Sequence, residues 1–108
     1  MSLESLTSDA LELLKNLIAT PSFSGEESET ATLIRKWLEF HEIPCEQIGN
    51  NIIAKNAHFT QGKPTLLLNS HHDTVRPNKA YTRDPFTPAV EEGKLYGLGS
   101  NDAGGCLV

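Results

Sequence analysis

Residues 65–73, Thr-Leu-Leu-Leu-Asn-Ser-His-His-Asp, join an unbroken apolar run to an abruptly polar end. Three consecutive leucines favour a strand that is covered on both faces, because a half-exposed strand would alternate apolar and polar side chains. Strands of this kind lie inside parallel sheets, where ligands bind at the carboxyl ends of the strands. We therefore predict an α/β fold in which this central strand delivers His71, His72 and Asp73 to the edge of the sheet.

Two helices are predicted before this strand. Apolar residues recur at spacings of three and four over residues 8–19, which is typical of a helix with one buried face. A second helix is predicted from Ser24 to residue 40 or 41, because Ser24 and Glu27 have the spacing of a capping box. Residues 103–108 have the apolar character of the first turns of a third helix.

Short strands are predicted on either side of the central one. Residues 43–48 and 51–55 carry apolar and β-branched side chains and are separated by a glycine-containing turn, which indicates a hairpin. Residues 90–96 have the pattern of a second, smaller hairpin. Residues 74–88 contain several prolines, so they are predicted to form a loop.

Composition excludes some classes of protein. A chain of 108 residues with 38% hydrophobic and 21% charged residues suits one ordinary globular domain. The net charge of −5 disfavours nucleic acid and anionic membranes as partners, since both attract basic surfaces. No apolar run approaches the roughly 20 residues of a membrane span, and the N-terminus does not resemble a signal peptide. Cys45 and Cys106 have no metal or redox spacing, so we interpret them as buried free thiols in a cytoplasmic protein.

The polar end of the central strand has the residue types of a metal site. Side chains alternate along a strand, so His71 and Asp73 should face the same way and His72 the opposite way. A neutral imidazole is a good zinc ligand, and a carboxylate two residues on can hold it in place. The alternative is a hydrogen-bonding group at the end of a strand. We interpret His72 as packed or hydrogen-bonded on the other face.

A glycine-rich segment, residues 97–105, is the second candidate for the site. Gly97 and Gly99 allow a tight loop that would present Asp102 at the start of the following helix. Asp102 could instead act as a simple helix cap. The segment could also bind phosphate, as glycine-rich turns before helices do, but a carboxylate at position 102 would repel that anion.

Linked motifs along nearly the whole chain resemble the opening of the M20 zinc peptidases and deacylases. Within that family the acetylornithine deacetylase and succinyl-diaminopimelate desuccinylase branch is the most similar. The motifs, in order, are Pro21-Ser-Phe-Ser-Gly-Glu-Glu27, Gly49-Asn-Asn-Ile-Ile-Ala54, Ser70-His71-x-Asp73-x-Val75, Asp84-Pro-Phe86 and Gly93-Lys-Leu-Tyr-Gly97-x-Gly99-x-x-Asp102-x-x-Gly105.

The resemblance implies a specific architecture. It implies a three-layer α/β/α catalytic domain of the zinc-exopeptidase type with a mostly parallel central sheet, in a protein that forms a homodimer. Residues 1–108 would be the N-terminal part of that domain, with the rest of it and a dimerisation domain absent. The apolar run at residues 104–108, which has no helix-ending signal, agrees with this expectation.

The resemblance also implies roles for three residues. His71 would be a terminal ligand of one zinc, Asp102 would bridge two zincs, and Asp73 would be the catalytic-site carboxylate that orients His71. The peptide bond between Asp102 and Ala103 would be cis. Cobalt or manganese could replace zinc.

The activity implied is metal-dependent hydrolysis of an N-acyl amino acid, with N-acetylornithine of arginine biosynthesis as the first candidate substrate. The family's general base, a glutamate, and its other ligands would lie after Asp102. We therefore expect the 108-residue chain alone to be inactive, to bind metal weakly and to self-associate. Gly104 occupies a position where the family usually has lysine, which leaves the substrate open. Arg76 and Arg83 could meet a substrate carboxylate or could be solvated.

Two other classes remain as alternatives. The chain could belong to a non-catalytic relative that keeps the fold as a binding or assembly module. It could also bind a phosphate or nucleotide through residues 97–105.

Overall fold

The computed structural model describes residues 2–108, which form helices and short antiparallel strands. Their order mixes the two types, as expected of an α/β chain. The elements are α1 (Leu3–Ile18), α2 (Ser28–Phe40), β1 (Cys45–Ile48), β2 (Asn51–Ala54), β3 (Ala89–Glu91), β4 (Lys94–Tyr96) and a distorted helical segment, Ser100–Gly105.

Helix α1 is longer at its N-terminus than the apolar pattern predicted. It begins at Leu3 rather than at residue 8, because the Ser2 side chain caps it by accepting a hydrogen bond from the Ser5 amide at 3.1 Å. The first turns are exposed, so no apolar periodicity marks them. The buried face lies in the second half of the helix and consists of Leu13, Leu14, Leu17 and Ile18.

Helix α2 begins at Ser28, so the predicted capping box at Ser24 is wrong. Glu27 is the N-cap residue and makes no side-chain cap. The Ser24 hydroxyl instead bonds to a side chain 49 residues further along the chain. The most buried residues of α2 are Thr30 and Ala31, which are both 0% exposed.

Both predicted hairpins are present. Strand β1 pairs with β2 in antiparallel register, and β3 pairs with β4 in the same way. Glu92 and Gly93 join the second pair with φ angles of 51° and 75°. Two consecutive positive φ angles are characteristic of the tight turns that match the twist of a hairpin.

The prediction of a buried central strand over residues 65–73 is wrong for this structure. These residues have no strand pairing, and Leu66, Leu67 and Leu68 are 84%, 82% and 85% exposed. A strand requires a neighbour that accepts and donates its backbone hydrogen bonds. Within residues 2–108 the two hairpins pair only internally, and a single parallel bridge joins Phe23 to Thr74. The mostly parallel sheet of a three-layer fold is therefore not formed by the described residues.

The glycine-rich segment packs closely on α1. A Cβ atom at Gly104 would lie 2.5 Å from Leu14 Cδ1 and 2.6 Å from the Gly99 carbonyl oxygen. Asp102 and Ala103 have non-helical backbone angles, and the peptide bond between them is cis. The predicted helix over residues 103–108 is thus only partly formed, because the turn that carries Asp102 interrupts it.

No helix among residues 2–108 has both the length and the apolar character that crossing a membrane requires.

Candidate metal site

The loop between α1 and α2 fixes the backbone of residues 71–74. The Thr74 amide donates to the Ser22 carbonyl at 2.7 Å, and the Ser24 amide donates to the Thr74 carbonyl at 3.1 Å. The Ser22 hydroxyl also donates to the His72 carbonyl at 2.9 Å. The polar end of the segment is therefore held on the loop between α1 and α2 even though the leucines before it form no strand.

His71 and Asp73 lie on the same side of this segment, as their spacing predicted. The His71 Nδ1 atom is 3.1 Å from the Asp73 carbonyl oxygen and 3.1 Å from its carboxylate atom Oδ1. The two residues are only half-buried, so solvent and a ligand can reach them. Because Asp73 contacts Nδ1, the Nε2 atom of the imidazole is left for a second partner.

The structure brings Asp102 to that same imidazole. Its carboxylate atom Oδ1 is 2.9 Å from His71 Nε2, although the two residues are 31 positions apart in sequence. Asp102 does not cap the glycine-rich segment, whose N-cap residue is Gly99. The interpretation of Asp102 as a simple helix cap is therefore wrong, and its carboxylate is 85% exposed at the site.

Ser24 completes the cluster and was missed in the sequence. Its hydroxyl donates to Asp73 Oδ2 at 2.5 Å. This hydrogen bond lowers the pKa of Asp73, because it stabilises the ionised carboxylate. The only local pattern around Ser24 was a capping box, and no short-range pattern in a sequence indicates a contact with a residue so distant.

The pKa of His71 is raised above its usual value of 6.5. The main cause is the hydrogen bond to the Asp73 backbone carbonyl, followed by the hydrogen bond to the Asp102 carboxylate. Both acceptors favour the protonated imidazolium. A divalent cation held by His71 Nε2 and the Asp102 carboxylate would take the place of the proton on Nε2.

The donor types match those that zinc prefers, but they form only part of a site. An imidazole nitrogen and a carboxylate oxygen are common zinc ligands, and a second carboxylate that holds the imidazole is a common support. Within residues 2–108 no group of three or more histidine, cysteine, aspartate or glutamate side chains is placed to hold a metal ion. His71 and Asp102 therefore fit a metal as two of its ligands.

An open cleft of about 350 Å³ lies in front of these side chains. Ser24, His71, Asp73, Tyr81 and Asp102 are among the residues that line it. A volume of this order is sufficient for a small ligand. The exposed carboxylate of Asp102 makes the cleft unfavourable for a phosphate group.

His72 points away from the cleft, in agreement with its interpretation as a residue bonded on the other face. Its Nδ1 atom is 2.7 Å from Thr30 Oγ1, and its Nε2 atom is 2.8 Å from the Asn50 carbonyl oxygen. Both ring nitrogens are therefore engaged by the protein.

The two loop arginines are paired with protein carboxylates. Arg76 donates to Glu26 at 3.0 Å and lies over the Phe23 ring, whereas Arg83 donates to Glu91 at 2.7 Å. The hydrogen bond with Glu91 raises the pKa of Arg83. Neither arginine is among the residues that line the cleft.

Comparison with known proteins supports the resemblance noted from the motifs. Residues 67–108, which contain His71, Asp73 and Asp102, match the model of Peptidase family M20/M25/M40. The predicted resemblance to the M20 peptidases is thus confirmed.

Individual relatives extend that similarity to the residues before position 67. A succinyl-diaminopimelate desuccinylase from Xylella fastidiosa (strain 9a5c) is 38% identical over 104 residues, which cover 94% of this chain and 28% of that protein. An acetylornithine deacetylase from Proteus mirabilis (strain HI4320) is 37% identical over an alignment of 110 positions. That alignment covers 88% of this chain and 28% of that protein. The chain therefore spans about 28% of the length of the curated relatives that it matches.

Proposed function

We propose that this chain supplies part of the catalytic site of a metal-dependent amide hydrolase that removes the acyl group from an N-acyl amino acid. The observation that carries the proposal is the convergence of His71 Nε2 and Asp102 Oδ1, which lie 2.9 Å apart at an open cleft. The match of residues 67–108 to the M20 family model supports it, because both side chains lie within the matched region.

The proposed roles are those that the resemblance to the M20 family implies for these side chains. His71 would hold one metal ion through Nε2, and the Asp102 carboxylate would be shared between two metal ions. Asp73 holds the His71 ring through Nδ1, and Ser24 in turn holds Asp73. When bound, zinc polarises an amide carbonyl and lowers the pKa of a water molecule toward neutrality. Cobalt or manganese could take its place.

The substrate class is an amino acid that carries an acyl group on an amine. The names of the relatives indicate two acyl groups, succinyl and acetyl, at nearly equal identity to this chain. N-acetylornithine and N-succinyl-diaminopimelate are therefore the two substrates to compare, and we keep N-acetylornithine as the first candidate. The substrate that is hydrolysed would assign the protein to arginine or to lysine biosynthesis.

The proposal includes an architecture for the active protein. Residues 1–108 form the N-terminal part of a three-layer α/β/α domain with a mostly parallel central sheet, in a homodimer. The prediction that both cysteines are buried is wrong, because Cys45 is only partly buried and Cys106 is exposed. Both are free thiols, which agrees with a cytoplasmic protein. The three consecutive leucines support this architecture, because their 82–85% exposure leaves an apolar segment that further elements of the domain can cover.

The test is hydrolysis of both substrates by the protein that contains this chain, isolated from its native source and identified by its intact mass. We expect one acylated amino acid to be hydrolysed, the activity to be lost on chelation, and zinc to restore it. The isolated 108-residue chain is the matched control and should hydrolyse neither substrate.

Two outcomes would contradict the proposal. Hydrolysis that persists after complete removal of metal would exclude a metal-dependent mechanism. A native protein that loads zinc but hydrolyses neither substrate would exclude both proposed substrates.

A further inference from the structure

We propose that His72 is a positioning residue, whose ring anchors residues 71–74 to α2 and to the β1–β2 turn and so keeps His71 opposite Asp102. This inference rests on the proposed function, because it assigns a support to the proposed metal site. His72 lies between the two residues that form one wall of the cleft, but its side chain faces the opposite way.

The His72 ring has one arrangement of protons that satisfies both of its contacts while the imidazole is neutral. The Asn50 backbone carbonyl, 2.8 Å from Nε2, can only accept, so Nε2 carries the proton and donates it. The Nδ1 atom then accepts from the hydroxyl of Thr30 at 2.7 Å, so the single proton of that hydroxyl goes to His72 rather than to its other neighbour, the Glu27 carbonyl oxygen at 3.1 Å. Neither nitrogen has a lone pair free for a metal ion, so His72 supports the site without being a ligand.

The contacts of His72 reach three parts of the fold. Thr30 lies in α2 and is 0% exposed, so its hydroxyl is fixed by the surrounding core. Asn50 lies in the turn between β1 and β2. The carbonyl of His72 accepts from Ser22 in the α1–α2 loop at 2.9 Å. A single residue therefore joins the polar segment to α2, to a hairpin and to the loop.

This anchoring matters for His71 because the two residues are consecutive. Side chains on opposite sides of an extended segment move together when the backbone between them rotates. A loss of the bond to Thr30 would let the segment rotate and would carry His71 Nε2 away from Asp102. We call this anchoring of residues 71–74 by His72 the clamp. It acts on the geometry of the site through the backbone.

Thr30 provides a matched pair of variants. Thr30→Val removes the hydroxyl and keeps the shape of the side chain, whereas Thr30→Ser keeps the hydroxyl and removes a buried methyl group. Both changes disturb a fully buried position. If Thr30 only fills space in the core, the two variants should have the same effect on the site. If its hydroxyl holds His72, only Thr30→Val should disturb the site.

Two NMR measurements on the 108-residue chain test the clamp. The first, without metal, follows the His72 Hε2 proton and the hydrogen exchange of the Thr74 amide, which donates to Ser22. The second titrates the chain with Co²⁺, a paramagnetic substitute for zinc, and records the midpoint at which signals of residues 71–73 broaden.

We expect wild type and Thr30→Ser to show a slowly exchanging His72 Hε2 proton. In Thr30→Val the Thr74 amide proton should exchange up to about fivefold faster than in Thr30→Ser, because the loss of one neutral hydrogen bond changes an equilibrium by about that factor. Its Co²⁺ midpoint should rise by up to about the same factor.

Equal behaviour of the two variants in Thr74 exchange, or absence of a protected Hε2 proton in the wild type, would overturn the inference. If the wild-type chain shows no broadening by Co²⁺ near His71, the proposed metal site fails. The metal-free measurement still decides whether His72 clamps the segment, so the two failures can be distinguished.

Discussion

At the scale of single residues, His71 has acceptors at both ring nitrogens. Nδ1 faces the backbone carbonyl and carboxylate of Asp73, and Nε2 faces the carboxylate of Asp102. Without metal the protonated ring is favoured, whereas a metal ion requires the neutral ring. The same two carboxylates therefore favour a proton in one state and a metal ion in the other.

We predict that the pKa of His71, measured by an NMR titration of its ring signals, lies above 6.5 in the metal-free chain. Asp102→Asn should lower that pKa toward 6.5 without reaching it, because the hydrogen bond to the Asp73 carbonyl remains. Glu4→Gln, an exposed change in α1, is the control and should leave the titration unchanged.

The sign of the linked change in stability follows from the raised pKa. The folded chain binds the proton more tightly than the unfolded chain does, so this contribution is complete below pH 6.5 and is lost as the pH rises through the folded-state pKa. Metal affinity should change in the opposite direction and increase over that range. A His71 titration that Asp102→Asn does not move would show that the two side chains are apart in solution.

The residues of the site differ in how far the sequence predicted them. His71, Asp73 and Asp102 belong to compact motifs, and alternation of side chains placed the first two on one side. Ser24 could not be predicted, since its contact with Asp73 depends on how the α1–α2 loop folds against residues 72–74. His72 was correctly separated from the site, but neither Thr30 nor the Asn50 carbonyl could be identified as its partner.

At the scale of elements, the glycine-rich segment lies so close to α1 that position 104 has no room for a side chain. A Cβ atom there would meet Leu14 Cδ1 at 2.5 Å and the Gly99 carbonyl oxygen at 2.6 Å. The leucine tip can rotate away, but the carbonyl belongs to the turn that presents Asp102. The lysine that the family usually has at this position would therefore require a different local backbone.

We predict that Gly104→Ala lowers the free energy of unfolding by about 1–3 kcal/mol, as overpacking of a tight contact does. Gly105→Ala is the matched control, because its Cβ would meet only the Ser100 carbonyl oxygen, at 3.3 Å. Urea denaturation measures both variants. Equal midpoints for the two would show that the backbone around Asp102 adjusts freely.

Local elements were predicted well because their causes are local. The apolar stripes of α1 and α2 and the glycine-containing turns of the hairpins depend on residues a few positions apart. The strand over residues 65–73 depends on neighbours elsewhere, and residues 2–108 provide it with only the Phe23–Thr74 bridge. Its three leucines predict a strand that is covered on both faces, and the described residues do not provide the covering elements.

At the scale of the whole molecule, the chain exposes more surface than a compact protein of its mass. Its accessible surface is 8051 Å², whereas about 5,900 Å² is expected for a folded monomer of 11.8 kDa. The three consecutive leucines, each more than 80% exposed, are part of that excess. An exposed apolar segment with unpaired backbone groups favours association with another chain.

We predict that the isolated chain self-associates through this segment and that Leu67→Lys weakens the association. The substitution should change the free energy of unfolding by no more than about 0.5 kcal/mol, because Leu67 is 82% exposed. Thr60→Lys, at another exposed position, controls for the added charge. Sedimentation velocity over a range of concentrations measures the effect, and a wild-type chain that stays monomeric throughout would refute the prediction.

The most direct test of the proposed site is a Co²⁺ titration of the 108-residue chain, followed by NMR, in wild type, His71→Asn and Asp102→Asn. We predict weak binding, with broadening that begins at residues 71–73 and 100–102 in the wild type and is lost in both variants, since each removes one of two ligands. Broadening centred elsewhere, such as on the exposed His58, or unchanged in both variants, would show that His71 and Asp102 do not form a metal site.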